Sequence, residues 1–208
     1  MSTTRTISMT RPLFDIAWAA SRRIYDPANP GTKVAEVIGG NVAINIVSSK
    51  KPWKNTCAVR MSYILNQSSV LVPYIPGQTV SGADKRWYFH RIDDVIGFLT
   101  QRWGKPDLIV PYPPHGGGDQ LVGKKGVVLF EVSGCHESTD NIPGRDVISG
   151  LPYGAFIVRG VDTHRHGCWV DARGHATLWN GTTCYDHCFF NESGAAYRTD
   201  RANFWSLP

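Results

Sequence analysis

No window of this 208-residue sequence stays apolar for the length a membrane crossing needs, so no transmembrane helix is expected. The opening stretch "MSTTRTISMTRPLF" carries basic charge but no apolar run, so no secretory signal peptide is expected. The chain is therefore expected to stay in the cytosol or to leave by a route that reads no cleavable signal. Internal repeats and low-complexity tracts are missing as well. So is a dense basic stripe: the formal charge of +5 is scattered, with only pairs at Arg22–Arg23, Lys50–Lys51 and Lys124–Lys125. Nucleic-acid binders usually concentrate such charge, so no nucleic-acid partner is expected. A mildly cationic enzyme acting on an anionic polymer fits the same balance.

What is present is an ordinary globular composition, 42% hydrophobic and 19% charged, over a length that suits one domain with a real core. Residues 12–25, "PLFDIAWAASRRIY", read as a helix, ended by "DPANPG". Residues 34–38 and 41–47 read as short β-rich or mixed stretches around Gly39–Gly40. Residues 57–66 read as an amphipathic helix, 86–92 as a strand, and 93–104 as a helix that starts at an Asp and stops at Gly104. "PYPPHGGGDQ" (111–120) is a loop by composition. Strands follow at 125–134, 154–161, 168–172 and 175–179. Helices come first and strands later, which predicts an α+β fold with N-terminal helices packed on an antiparallel sheet.

The cysteines are five in number: Cys57, Cys135, Cys168, Cys184 and Cys188. An odd count leaves a candidate reactive thiol, and Cys57 stands apart from the rest at a helix start. Free N–H groups and the positive end of the helix dipole there favour a thiolate, the nucleophilic form. Ala58, Met61, Ile64 and Leu65 make a buried stripe behind it, with the polar positions turned elsewhere. The plainer reading of Cys57 is a small core residue packed like alanine.

A nucleophile needs a base and an orienting group. "DARGHATLWNGTTCYDHC" (171–188) offers both. His175 opens a strand, and the Asn180–Gly181 turn can fold Asp186 back beside it. A carboxylate on one imidazole nitrogen leaves the other to take the thiol proton. The plainer readings are a hydrogen-bonded histidine and a turn aspartate. Cys184 and Cys188 flank Asp186 at a spacing that allows a local disulfide. With His175 and His187 near, a zinc site is the rival, although its spacing is irregular for zinc. Trp53 and Asn55 are candidate cleft-wall residues; packing for Trp53 and helix capping for Asn55 are the alternatives.

"NTCAVRMSYILN", "GADKRWYFHRIDDVIGFL", "KGVVLFEVSG" and "DARGHATLWNGTTCYDHC" together resemble the type VI secretion amidase effectors, family four. The resemblance runs in order from about residue 12 to residue 188. It implies a papain-like, NlpC-type cysteine hydrolase fold over a single domain, 1–208. It implies Cys57 as nucleophile, His175 as general base, Asp186 as orienting acid, and a Cys184–Cys188 disulfide, with no metal and no cofactor. The implied substrate is the γ-D-glutamyl–meso-diaminopimelate bond of the peptidoglycan peptide stem. The implied partners are a cognate immunity protein and the type VI secretion apparatus, with no membrane insertion. Action is implied in the oxidising periplasm of target bacteria, which suits a disulfide. One departure is the segment of about 135–168, an insertion before the histidine strand, whose base Cys135 and Cys168 are expected to close as a second disulfide. His164 and His166 within it read as exposed loop residues. Two alternatives stand beside the amidase: a non-catalytic cell-wall-binding module, and a papain-like acyltransferase or deamidase.

Overall fold

A computed structural model describes residues 10–48, 52–133, 174–193 and 197–208 of the chain. The proposed insertion 135–168, its Cys135–Cys168 pairing, His164, His166 and the strands read at 154–161 and 168–172 lie outside the described residues. So does the Lys50–Lys51 pair.

Helix α1 (Phe14–Ile24) buries Phe14, Ala17, Ala20, Ser21 and Ile24, the spacing of one helical face. The two stretches read as β-rich or mixed are instead helices, α2 (Pro30–Ile38) and α3 (Gly40–Val47). Their β-branched residues suggested strand, but Val34, Ile38 and Val42 recur every fourth position and all are buried. Pro30 supplies a preset φ at the first turn of α2. Gly39 and Gly40, at φ 64° and 60°, make the corner between the helices. A side chain on Gly40 would run into the Gly82–Ala83 backbone, so the corner requires glycine.

Helix α4 (Cys57–Gln67) is the axis of the helical layer. The sequence reading turns its polar positions away from the stripe of Ala58, Met61, Ile64 and Leu65. Arg60, Ser62 and Asn66 are nonetheless buried too. Each makes a specific bond, as buried polar groups require. Ser62 Oγ accepts the Phe89 N–H at 2.9 Å and donates to Ala58 O at 2.8 Å. Asn66 Oδ1 accepts the Val72 N–H and its Nδ2 donates to Trp87 O, both at 2.9 Å. The helix thereby holds the antiparallel hairpin of β1 (Thr79–Ser81) and β2 (Trp87–Phe89). Helix α5 (Ile92–Trp103) carries Asp93 and Asp94 in its first turn and ends at Gly104, at φ 82°.

Strand β3 (Leu108–Pro111) follows α5. The stretch read as pure loop holds a 3-10 turn (His115–Gly117) and a one-turn helix, α6 (Gly118–Leu121). Strands β4 (Gly126–Ser133), β5 (Gly174–Trp179) and β6 (Arg198–Ser206) complete a four-stranded sheet. Its order is β3-β6-β4-β5, with every neighbouring pair antiparallel. The sheet is apolar on both faces. Val127, Leu129, Ala176, Leu178 and Trp205 pack with the helices, and Val128, Phe130, Trp179, Phe190 and Phe204 form a second core on the other side. Each large side chain so buried contributes about 1.5–3 kcal/mol. The expected α+β architecture is the one observed. Among the described residues no helix is long and apolar enough to cross a membrane.

Candidate active site

Three structural elements meet at one end of α4. The helix brings Cys57, β5 brings His175, and the turn after β5 brings Asp186. Gly174 must be glycine for β5 to pair closely: a side chain there would overlap the Phe130 carbonyl oxygen. That fixes His175 as the next residue, opposite Phe130 in the antiparallel register. Its ring stacks on Phe189 at 4.5 Å between centroids. After Trp179 the chain reverses. Asn180 Oδ1 accepts the Thr182 and Thr183 amides at 3.0 and 2.9 Å, and Gly181 takes φ 102°. Cys184 then bridges back to Trp179, and the Tyr185 N–H donates to Leu178 O at 3.2 Å. This return lays Asp186 beside His175, with Nε2 3.4 Å from Oδ1 and 3.3 Å from Oδ2. Cys184 and Cys188 are joined in a disulfide that closes the loop around Asp186. Their sulfurs are therefore unavailable as zinc thiolates.

Asp186 faces Nε2 of His175, and the imidazole stands close enough to the Cys57 thiol to lower its pKa. Cys57 Sγ also lies 3.9 Å from Gly174 O. The thiol is 1% exposed. It sits behind a cleft lined by Tyr25, Lys54, Asn55, His175, His187 and Phe189, among others. Trp53 does not line that cleft; it stacks on His90 at 5.1 Å. Asn55 does line it, and its Oδ1 accepts the Cys57 N–H at 3.0 Å. The Cys57 amide at the start of α4 is thus already bonded at rest.

The charges are mutually arranged. Burial alone would raise the Cys57 thiol, but the hydrogen bond and charge of His175, then the charge of Arg60, bring it below its usual value. Burial alone would lower His175, yet Asp186 and Cys57 raise it to about 9. Burial opposes ionisation of Asp186 too, and His175, Arg60 and the Thr177 hydroxyl hold it well below the usual carboxylate range. Thr177 Oγ donates to Asp186 Oδ1 at 2.5 Å. These pKa directions favour a thiolate, an imidazolium and a carboxylate together.

Arg60 and Thr177 were not read from the sequence as site residues. A signal for Arg60 existed: it lies three residues after Cys57, on the same helix face. Thr177 is two residues from His175, on the same face of β5. What the sequence hides is their shared partner, Asp186, 126 residues from Arg60.

A family model described as "Type VI secretion system (T6SS), amidase effector protein 4" matches residues 53–149. The effector Tae4 from Enterobacter cloacae is 32% identical over 97% of this chain and 100% of that one, with a TM-score of 0.69. Tae4 in the Enterobacter cloacae Tae4–Tai4 effector–immunity complex is 31% identical over 96% of this chain and 100% of that one, with a TM-score of 0.70. Tae4 in the Salmonella Typhimurium Tae4–Tai4 complex is 33% identical over 96% and 100%, at 0.67. Among curated proteins none matches. These likenesses define the class as type VI secretion amidase effectors. The chain belongs to its fourth family, Tae4.

Proposed function

We propose that this amidase effector is a papain-like, NlpC-type DL-endopeptidase. It cleaves the γ-D-glutamyl–meso-diaminopimelate bond of the peptidoglycan stem by a Cys57–His175–Asp186 mechanism. The observation that carries the reading is the meeting of a thiol at the start of a helix, a histidine and a buried carboxylate at one cleft. The chain acts as one domain, delivered by the type VI apparatus into the periplasm of a rival cell. A cognate immunity protein protects the producer, as Tai4 pairs with Tae4 in the related complexes.

The Cys57 thiolate attacks the amide carbon, and the carbonyl electron pair moves onto oxygen. The oxyanion takes over the Cys57 N–H, displacing Asn55 Oδ1. Imidazolium His175 gives its proton to the departing diaminopimelate nitrogen, and the C–N bond breaks to leave a thioester. Neutral His175 then draws a proton from water, whose oxygen attacks the thioester, and Cys57 departs as thiolate. Asp186 stays ionised throughout and keeps the proton on Nε2.

The test is digestion of purified diaminopimelate-type peptidoglycan with mass analysis of the fragments. Wild type is expected to release fragments ending in L-Ala-D-Glu, and Cys57→Ala none. Binding without release by both would make the chain a wall-binding module. Ammonia release without stem cleavage would make it a deamidase.

A further inference from the structure

A buried thiolate facing an imidazolium is a neutral pair. A buried carboxylate behind the imidazole makes the group net negative, and low-polarity surroundings penalise the excess charge. Arg60 supplies one more positive charge at this place. It stands one turn after Cys57 on α4 and is 6% exposed. Nη2 contacts Asp186 Oδ2 at 2.8 Å, Nη1 donates to Thr56 Oγ at 2.9 Å, and Nε donates to the Tyr185 hydroxyl at 3.2 Å. The guanidinium also lies over the Tyr25 ring, 5.2 Å from its centre. Every nitrogen of the group is engaged, so its position is fixed.

From this geometry we infer that Arg60 is a positioning residue, a buried counter-charge that makes the Cys57–His175–Asp186 array net neutral and so keeps Cys57 a thiolate at rest. The inference rests on the cysteine mechanism proposed above. The charged and titratable groups around the array come from every adjoining element. Cys57 and Arg60 belong to α4, His175 to β5, Tyr185 and Asp186 to the disulfide loop, and Tyr25 to the end of α1. Lys54 and His187 line the cleft. Arg60 helps to lower both Asp186 and the Cys57 thiol. Without it the array carries one excess negative charge. The cheapest relief is a proton on the thiolate, which leaves a weak nucleophile.

The test reads the thiolate directly, as the rate of Cys57 alkylation by iodoacetamide against pH. Wild type is compared with Arg60→Met, Arg60→Lys, Asp186→Asn and the double variant Arg60→Met/Asp186→Asn. Arg60→Met is expected to move the midpoint up by about one pH unit or more, slowing alkylation about tenfold on the acid side. Arg60→Lys keeps the charge and most of the low midpoint. The double variant returns the midpoint toward wild type, because a neutral amide needs no counter-charge. A merely structural arginine predicts the opposite, with damage in the double variant at least as large as in the single one. That result, or an unmoved midpoint in Arg60→Met, overturns the inference. If Arg60→Met fails to fold by circular dichroism, Arg60→Gln against Arg60→Lys decides: equal midpoints refute it, and a low midpoint in the lysine variant alone supports it. No wall fragment enters the measurement, so failure of the amidase reading and failure of this one are separate results.

Discussion

The Asn55 side chain accepts the backbone N–H of Cys57 at 3.0 Å. The bond closes the entry to α4 and occupies the amide that the proposed mechanism assigns to the oxyanion. Two substitutions separate these roles. Asn55→Ala removes the acceptor at the helix start and is expected to cost about 1 kcal/mol of stability. It leaves the amide open to the oxyanion, so turnover stays within a few-fold. Asn55→Asp keeps an acceptor and keeps stability, but sets a carboxylate where negative charge must develop. Its kcat is expected to fall about 100-fold. Denaturant melts beside cleavage rates check both. Equal activity in the two variants would remove the Cys57 amide from the oxyanion site.

The Cys184–Cys188 disulfide closes a loop of five residues with Asp186 at its centre. Cys184 is itself held by its bridge to Trp179. Constraining so short a loop in the unfolded chain stabilises by about 2 kcal/mol. The double variant Cys184→Ala/Cys188→Ala is expected to lose about that much in a urea melt. Arg60 and Thr177 still grip Asp186 from two sides, so kcat is expected to fall several-fold rather than vanish. A variant as inactive as Cys57→Ala would make the disulfide, not the hydrogen bonds, what places the carboxylate.

Much of the site was legible because its parts lie in short local signals. A cysteine opening an amphipathic run, a histidine opening a strand and an Asn-Gly turn are each local facts, and the turn returned Asp186 to His175 as read. Helices α2 and α3 were not legible because their valines and isoleucines favour strand, while the fourfold spacing of Val34, Ile38 and Val42 runs across a glycine corner. Strand β6 was not read at all. It lies between β3 and β4, so Ala202, Asn203, Phe204 and Trp205 are buried in succession and the alternation of a half-exposed strand is lost. Arg60 resembled any helix-surface arginine, since only the tertiary fold brings its carboxylate to it.

The pH behaviour of folding and of catalysis should separate. His175 rises from an ordinary value of 6.5 to about 9. A raised pKa means that the folded state holds the proton more tightly. Its stabilisation is fully present below pH 6.5 and is lost as the pH climbs through about 9. Asp186 is depressed from an ordinary 3.8, so its stabilisation is present above that value and lost as the pH falls below it. For these two groups together, stability is highest between those ordinary values, in mildly acid solution. The Cys57 thiolate, being depressed, adds stability toward alkaline pH and softens the upper decline. In the proposed mechanism catalysis follows the ion pair instead, which exists from the lowered thiol pKa up to the loss of the imidazolium proton. The alkaline limb of kcat/KM is therefore expected near pH 9, beyond the stability maximum. Asp186→Asn removes the charge that holds the His175 proton, so that limb should move to lower pH. Measuring kcat/KM and urea midpoints across the same buffers decides the matter. An alkaline limb unmoved by Asp186→Asn would mean that a group other than His175 titrates there.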